Sequence, residues 1–326
     1  MRYVDVDAGG KQISAVGLGT WQFGAREWGY GADYDDGEAA RIVRRALELG
    51  VTLFDSAEMY GFGRSERILG AALRAADADL GRVVVATKIF PVFPVAPVVE
   101  QRAVASAARL GVEHIDLYQV HQANPVIKDK TTMRGMRALR AVGLVGSVGV
   151  SNYSLDRWRA ADAALGAPVL SNQVQYSLAR TDPEQDLIPF AAANGRMVIA
   201  WSPLAQGLLS GRYTAQNRPR TGVRSMNQLF LPENLDRAAG LLRTLREVAE
   251  SHGATSSQVA LAWLLRHPNV AVIPGASSVA QLESNVAAAD LRLTDGETSA
   301  LSEAAAAFTP RTGAGAVPAM LRARRS

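Results

Sequence analysis

What most constrains this chain is a recurring pattern: a short apolar run, a loop, then an amphipathic stretch, at intervals of about thirty residues. The runs begin near Val16, Thr52, Val83, His114, Val145, Ser171, Met197 and Val270. Runs this short and apolar read as strands buried on both faces, and strands that alternate with helices pair in parallel. The first intervening helix is well marked. Asp35 stands three residues before Glu38, as in a capping box; Ala39, Ile42, Val43, Ala46 and Leu47 form an apolar stripe; Gly50 supplies the stop. The second starts near Ser65 and turns Ile68, Leu69, Ala72 and Leu73 inward. Ahead of the first repeat, residues 3–6 and 12–15 flank Asp7-Ala8-Gly9-Gly10, a hairpin signal. Eight alternations predict an α/β fold of the (β/α)8 barrel type with an N-terminal β-hairpin. An open dinucleotide-binding sheet is disfavoured, because Gly17-Leu18-Gly19-Thr20 does not extend to G-x-G-x-x-G.

One interval departs from the repeat. Nearly seventy residues separate the seventh run, 197–201, from the eighth. They hold a polar loop, 212–227, and two helical patterns, 235–251 and 256–267. A long loop at the mouth of a barrel reads as a lid or a cofactor clasp. No low-complexity linker divides the body, so residues 1–308 read as a single domain and 309–326 as a basic, poorly ordered tail.

Charge and composition exclude several classes. A pI near 9.5 suggests nucleic acid until the charges are located. The tail carries Arg311, Arg322, Arg324 and Arg325 and no acid; without them, 31 basic residues face 31 acidic ones. The folded body is close to neutral, and no nucleic-acid partner is expected. With no Cys in the chain, disulfides, thiolate nucleophiles and thiolate-bound metals are excluded. His114, His121, His252 and His267 make no metal-ligand spacing with one another, so no metal site is expected. The amino terminus is too acidic for a signal peptide. The most apolar stretch, 83–99, holds Lys88 and three prolines, which rules it out as a membrane span. The expectation is a cytoplasmic protein.

Four ionisable residues stand at or just beyond the C-terminal ends of strand candidates: Asp55, Tyr60, Lys88 and His121. In a parallel barrel these ends form the mouth, where such folds carry their chemistry. Lys88 is one of four Lys against 31 Arg, which argues for a chemical need for a compact ammonium there. An ammonium beside a phenol favours the phenolate and makes the phenol a better acid near neutrality; an Asp keeps the Lys charged. A His nearby completes a proton circuit suited to carbonyl reduction.

The same residues carry a resemblance. Gly17-Leu18-Gly19-Thr20-Trp21, Phe54-Asp55-Ser56-Ala57-Glu58-Met59-Tyr60-Gly61, Thr87-Lys88, Gly149-Val150-Ser151-Asn152, Trp201-Ser202-Pro203-Leu204 and Ile273-Pro274-Gly275-Ala276-Ser277-Ser278 resemble the aldo-keto reductases. The branch is that of bacterial aldo-keto reductases and the β subunits of voltage-gated potassium channels. The resemblance runs in order from about residue 12 to residue 306. It implies a (β/α)8 barrel that binds NADPH, with NADH as the alternative donor, and reduces an aldehyde or ketone to the alcohol. It implies Tyr60 as general acid, Lys88 and Asp55 as the pair that lowers its pKa, and His121 as the group orienting the carbonyl. Cofactor contacts are implied for Gly19, Thr20, Trp21 and Asp55. Ser151, Asn152 and Gln173 would hold the carboxamide and Trp201 would stack under the nicotinamide. Ser202, Leu204, Gly207 and Arg212, with Pro203 among them, would form the pyrophosphate clasp, and the preference for NADPH would rest on Ser277, Arg212 and Arg224. Gly275, Ser277, Gln281 and Asn285 would hold the adenosine end, where free N–H groups at the start of the last barrel helix favour phosphate. Departures fall at Gln122-Ala123-Asn124-Pro125, and at Gly275, Gln281 and Ser284, where other members carry Lys, Arg or Glu.

Substrate expectations rest on aromatic density. Trp21, Phe23, Trp28, Tyr30 and Tyr34, five of 21 aromatics, fall within fourteen residues of the first strand–helix loop. Trp21, Trp28, Tyr60, Phe90 and His121 are the expected pocket, which favours an apolar or aromatic small-molecule carbonyl. Two rival readings are a cofactor-loaded regulatory subunit and a lyase or isomerase using Lys88 as a Schiff base. The complete set of four disfavours the first, and the nicotinamide motifs disfavour the second.

Overall fold

Eight strands pair in parallel, in chain order: β3 (Leu18–Gly19), β4 (Leu53–Asp55), β5 (Val84–Ile89), β6 (Ile115–Val120), β7 (Val145–Ser151), β8 (Ser171–Gln175), β9 (Met197–Trp201) and β10 (Val270–Val272). The sheet closes on itself. Val16 bridges Val272 in parallel; Gly17 N–H donates to Val272 O at 2.8 Å, and Val272 N–H to Ala15 O at 2.9 Å. This is the (β/α)8 barrel expected from the repeat. The structure, a computed structural model, describes residues 1–219 and 222–313.

The glycines before and within β3 have a packing reason. A Cβ at Gly17 would lie 2.8 Å from Leu53 O, and one at Gly19 would lie 2.6 Å from Ile273 O. The first strand is squeezed between β4 and the chain leaving β10, and only bare backbone fits there.

The hairpin of β1 (Tyr3–Ala8) and β2 (Lys11–Ser14) covers the opposite end of the barrel. Lys11 Nζ donates there to Leu80 O (2.6 Å), Val83 O (2.8 Å) and Asp116 Oδ1 (2.6 Å), while Asp116 Oδ2 accepts from Val85 N–H. Asp116 therefore satisfies a buried bond at a strand start, and His114 Nδ1 donates to Gly143 O beside it.

The helices follow the periodicity. Helix α1 (Asp36–Glu48) buries Ala39, Ile42, Val43 and Ala46, and α2 (Arg64–Ala75) buries Ile68, Leu69, Ala72 and Leu73. The capping box is only half formed: Asp35 accepts from Glu38 N–H, but Glu38 turns its carboxylate to Arg41 and to Val279 N–H. Then come α3 (Ala96–Leu110), α4 (Asp129–Ala141), α5 (Leu155–Leu165) and α6 (Leu187–Ala193). The irregular interval contains α7 (Gly222–Met226), α8 (Pro232–Ser251) and α9 (Ser256–Leu264). The sequence predicted the last two, but α7 lies inside the stretch read as loop. Helices α10 (Val279–Ala287) and α11 (Asp295–Ala307) complete the described elements.

Within the tail segment, Arg311 lies against the start of α8, where Asn234 accepts its N–H at 2.8 Å and donates to its carbonyl at 2.9 Å. The rest of the tail, 314–326, lies outside the described residues. No described helix is long and apolar enough to cross a membrane.

Candidate active site

Asp55 ends β4 and Lys88 lies one residue from the end of β5, both fully buried. Lys88 Nζ donates to Asp55 Oδ1 at 2.5 Å, to Ser56 O at 2.8 Å and to Tyr60 Oη at 3.3 Å. The other oxygen of Asp55 accepts from Gln173 Nε2 (2.8 Å) and Gln119 Nε2 (3.1 Å). Gln119 was not foreseen. It faces inward two residues before His121, and that period-two spacing inside an apolar strand was the available signal.

Tyr60 opens a distorted turn, residues 60–63, in which Gly61 and Phe62 both take positive φ. Trp21 stacks on the Tyr60 ring at 6.1 Å, and His121, just beyond β6, meets it edge-on at 5.8 Å. Asp55, Tyr60, Lys88 and His121 therefore converge at the barrel mouth, as their positions at strand ends implied.

Electrostatics refine and partly reverse the expectation. Burial alone would lower the Lys88 pKa, but the charge of Asp55, the adjacent Tyr60 and hydrogen bonds to both outweigh it, so Lys88 stays an ammonium. For Tyr60 burial is the largest influence and pushes the phenol up; Lys88 pulls it down by charge and hydrogen bond, and Asp55 pushes it up again. The net direction is upward, not toward neutrality as expected. The burial that keeps water from the ion pair also penalises a phenolate, and Asp55 offsets part of the ammonium's pull. Tyr60 is thus held as a neutral phenol with its proton in place.

Burial, and then the nearby Lys88 charge, lower His121 to about 3, so its imidazole is neutral at physiological pH. Its Nδ1 is buried without a partner, leaving Nε2 as the nitrogen open to the cleft.

These groups face a cleft of about 360 Å³. Of the expected contacts, Gly19, Thr20, Trp21, Trp28, Asp55, Tyr60, His121, Ser151, Asn152, Gln173, Trp201, Ser202, Pro203, Leu204, Gly207, Arg224, Gly275, Ser277 and Gln281 line it. Four do not. Lys88 lies behind Asp55 and Tyr60, and Phe90 packs edge-on against His121 at 6.0 Å. Arg212 is exposed, and Asn285 donates to Gly275 O at 3.3 Å, bracing the loop from beneath. Gln22, Gln122, Gln206, Ile273, Pro274 and Ala276 line the cleft unforeseen. Gln22 and Gln122 lie in loops and Gln206 in a kinked 3-10 turn, where no periodicity points a side chain inward.

Opposite the aromatic wall, position is set by backbone shape. Asn152, Ser202, Ala205 and Gln206 are non-glycine residues at φ between 49° and 60°, a region that persists only where surrounding structure enforces it. Asn152 donates to His121 O and accepts from Trp201 Nε1 at 3.1 Å, and Ser151 Oγ donates to Gln173 O. The start of α10 differs from expectation: Ser277 N–H donates to Gln281 Oε1, Gln281 N–H to Ser278 Oγ, and Val279 N–H to the Glu38 carboxylate. Those donors are engaged by side chains. Among the described lining residues the one Lys or Arg is Arg224, which donates from Nε to Gln206 O at 2.9 Å and lies 4.8 Å over the Trp28 ring.

Comparison with known proteins agrees with this arrangement. The sequence model of the Aldo/keto reductase family matches residues 15–306. An uncharacterized oxidoreductase of Mycobacterium tuberculosis is 57% identical over 310 residues, covering 95% of this chain and 94% of its own. The structure of a glycerol dehydrogenase from Gluconobacter oxydans superposes with a TM-score of 0.85 at 27% identity, covering 95% of this chain and 97% of its own. An aldo-keto reductase from Klebsiella pneumoniae in complex with NADPH gives a TM-score of 0.74 at 28% identity, covering 96% of each chain. The closed parallel barrel, the four converging groups at its mouth and these matches together make the chain an oxidoreductase of the aldo/keto reductase family.

Proposed function

We propose that this protein reduces an aldehyde or ketone to the alcohol with NADPH, and that Tyr60 is its general acid. The observation that carries the reading is the chain of contacts from Asp55 through Lys88 to Tyr60 Oη, at 2.5 and 3.3 Å, at the cleft wall. The residues fit a dinucleotide. The cleft falls within the range of about 300–1,000 Å³ usual for small-molecule sites. The Trp201 indole, fixed through Asn152, offers a flat platform, and Arg224 offers a cation for phosphate. The NADPH-bound Klebsiella relative supports the choice of cofactor. When bound, the reduced nicotinamide supplies hydride to the carbonyl carbon.

The chain's own residues do the rest. As the carbonyl π pair moves onto oxygen, Tyr60 Oη transfers its proton there. The charge left on the phenolate meets the Lys88 ammonium, which Asp55 keeps protonated. His121 stays neutral and orients the carbonyl oxygen through Nε2. Trp21, Trp28 and the Tyr60 ring exclude water and favour an apolar or aromatic group beside the carbonyl.

The test is NADPH oxidation with a panel of aromatic and aliphatic carbonyls, alongside fluorescence titration with NADPH and NADH. For Tyr60→Phe we expect kcat to fall by about 10²–10⁴ with cofactor affinity kept. Undiminished turnover in that variant would remove Tyr60 from the acid role.

A further inference from the structure

Glu58 has no part in the chemistry above, yet its side chain is only 9% exposed. Its carboxylate accepts from Phe90 N–H and from two nitrogens of Arg102, a residue of α3; the bond from Arg102 Nε is 2.9 Å. Arg102 also donates to Phe90 O at 2.8 Å and to Val92 O at 3.3 Å. The backbone N–H of Glu58 goes to Lys88 O at 3.2 Å. The loop after β4 is therefore riveted to the segment leaving β5 at three successive points: Lys88, Phe90 and Val92.

Each point lies close to a reacting group. Tyr60 is two residues beyond Glu58; Lys88 is two residues before Phe90; and the Phe90 ring meets the His121 ring. The 3.3 Å contact between Lys88 and Tyr60 crosses from one riveted segment to the other and is the longest of the three bonds from Nζ. A long bond between two loops depends most on how those loops are held. Misplacement by about 1 Å is enough to lower a rate about a hundredfold.

We propose that Glu58 and Arg102 are positioning residues: their ion pair sets Tyr60 against Lys88 and, through Phe90, sets His121. The inference rests on Tyr60 being the general acid. Because the clamp touches none of the cleft-lining side chains on the cofactor side, its loss belongs in kcat and not in cofactor affinity.

The test uses the full chain and three variants: Glu58→Gln, Arg102→Met and Arg102→Lys. Glu58→Gln keeps the side-chain shape and an acceptor for Phe90 N–H, so it decides the matter if Arg102→Met does not fold. In Glu58→Gln and Arg102→Met we expect kcat to fall at least about tenfold, while the NADPH Kd stays within about twofold of wild type. Arg102→Lys keeps the charge but cannot grip two carbonyls and a carboxylate together, and should recover part of the loss. The double variant should be no slower than its slower parent, since both changes break one device. A kcat within about twofold of wild type in the single variants overturns the proposal, as does a loss confined to NADPH affinity. Wild-type turnover and its loss in Tyr60→Phe are measured in the same series, so a failed clamp does not read as a failed acid.

Discussion

On the side of the cleft built by β4, β5 and β6, position is held by charged and amide side chains. Lys88, Asp55 and Gln119, joined by Gln173 reaching across from β8, bond one another in a space closed to water, and Glu58 with Arg102 fastens the loops above them. On the side built by β7, β9 and the segment beyond, position is held by the backbone, with Asn152, Ser202, Ala205 and Gln206 in left-handed conformations. The contrast fits the tasks proposed for the two sides. Moving a proton requires charges at fixed separations in a medium that does not screen them. Gripping a long cofactor requires a surface shaped to it, which backbone supplies without many charges. A buried ionic network is vulnerable to losing one member, whereas a shaped backbone is vulnerable to added bulk.

Four measurements break or sharpen this contrast. The largest effect is expected for Lys88→Met, which leaves Asp55 buried opposite a thioether. Breaking a buried pair from one side costs about 3–5 kcal/mol, so urea unfolding should show a loss of that order, accompanied by loss of turnover. A cost below about 1 kcal/mol would mean that Gln119 and Gln173 suffice to hold the carboxylate.

Arg224→Gln probes the one cation among the described residues of the other wall. If Arg224 meets the extra phosphate of NADPH, removing a charge-assisted bond of about 1.5–3 kcal/mol should weaken NADPH binding about tenfold or more and leave NADH unchanged. Equal weakening of both cofactors would assign Arg224 to a group the two share.

Gly19→Ala adds bulk where β3 meets the chain after β10, with the new Cβ 2.6 Å from Ile273 O. Overpacking of about 1–3 kcal/mol is expected, read as a lower Tm together with weaker cofactor binding. An unchanged Tm would show that the seam yields.

The last measurement concerns pH, and near neutrality its effect vanishes. The folded value of His121, about 3, lies below the 6.5 of an ordinary imidazole, so between them the unfolded chain binds more protons. Stability therefore falls as pH drops through that window and gains nothing from His121 above it. His121→Asn should flatten the fall of Tm on the acid side, and no limb in kcat near neutral pH should belong to His121. With Tyr60 raised, the alkaline loss of reduction belongs above the ordinary phenol value of about 10. A limb near pH 8 would mean that Lys88 dominates burial after all.

Much of this was legible in the chain because a barrel with buried strands writes its architecture as apolar runs at regular intervals. The four ionisable residues were legible because strand ends fix where they emerge. Helix α7 was not, since five residues, Gly222–Met226, are too few to show periodicity. The Glu58–Arg102 pair was hidden for another reason: its members are 44 residues apart, and an acid in a loop looks solvated until the fold places an arginine over it. The direction of the Tyr60 shift was misjudged because sequence names the charges near a group but not how much water has been removed from it. The donors at the start of α10 were expected to be free, yet Glu38, 241 residues earlier, fills one of them.

Closure of the barrel between Val16 and Val272 sets a schedule for making the protein. During synthesis all four of the converging side chains have left the ribosome once His121 has emerged, but the strand that completes the ring follows 151 residues later, or roughly 8 to 30 seconds at ordinary elongation rates. Until then the nascent sheet has an unpaired edge at β3 and no walls for a substrate. A chain released early, short of β10, keeps that edge open as a template on which another strand can pair.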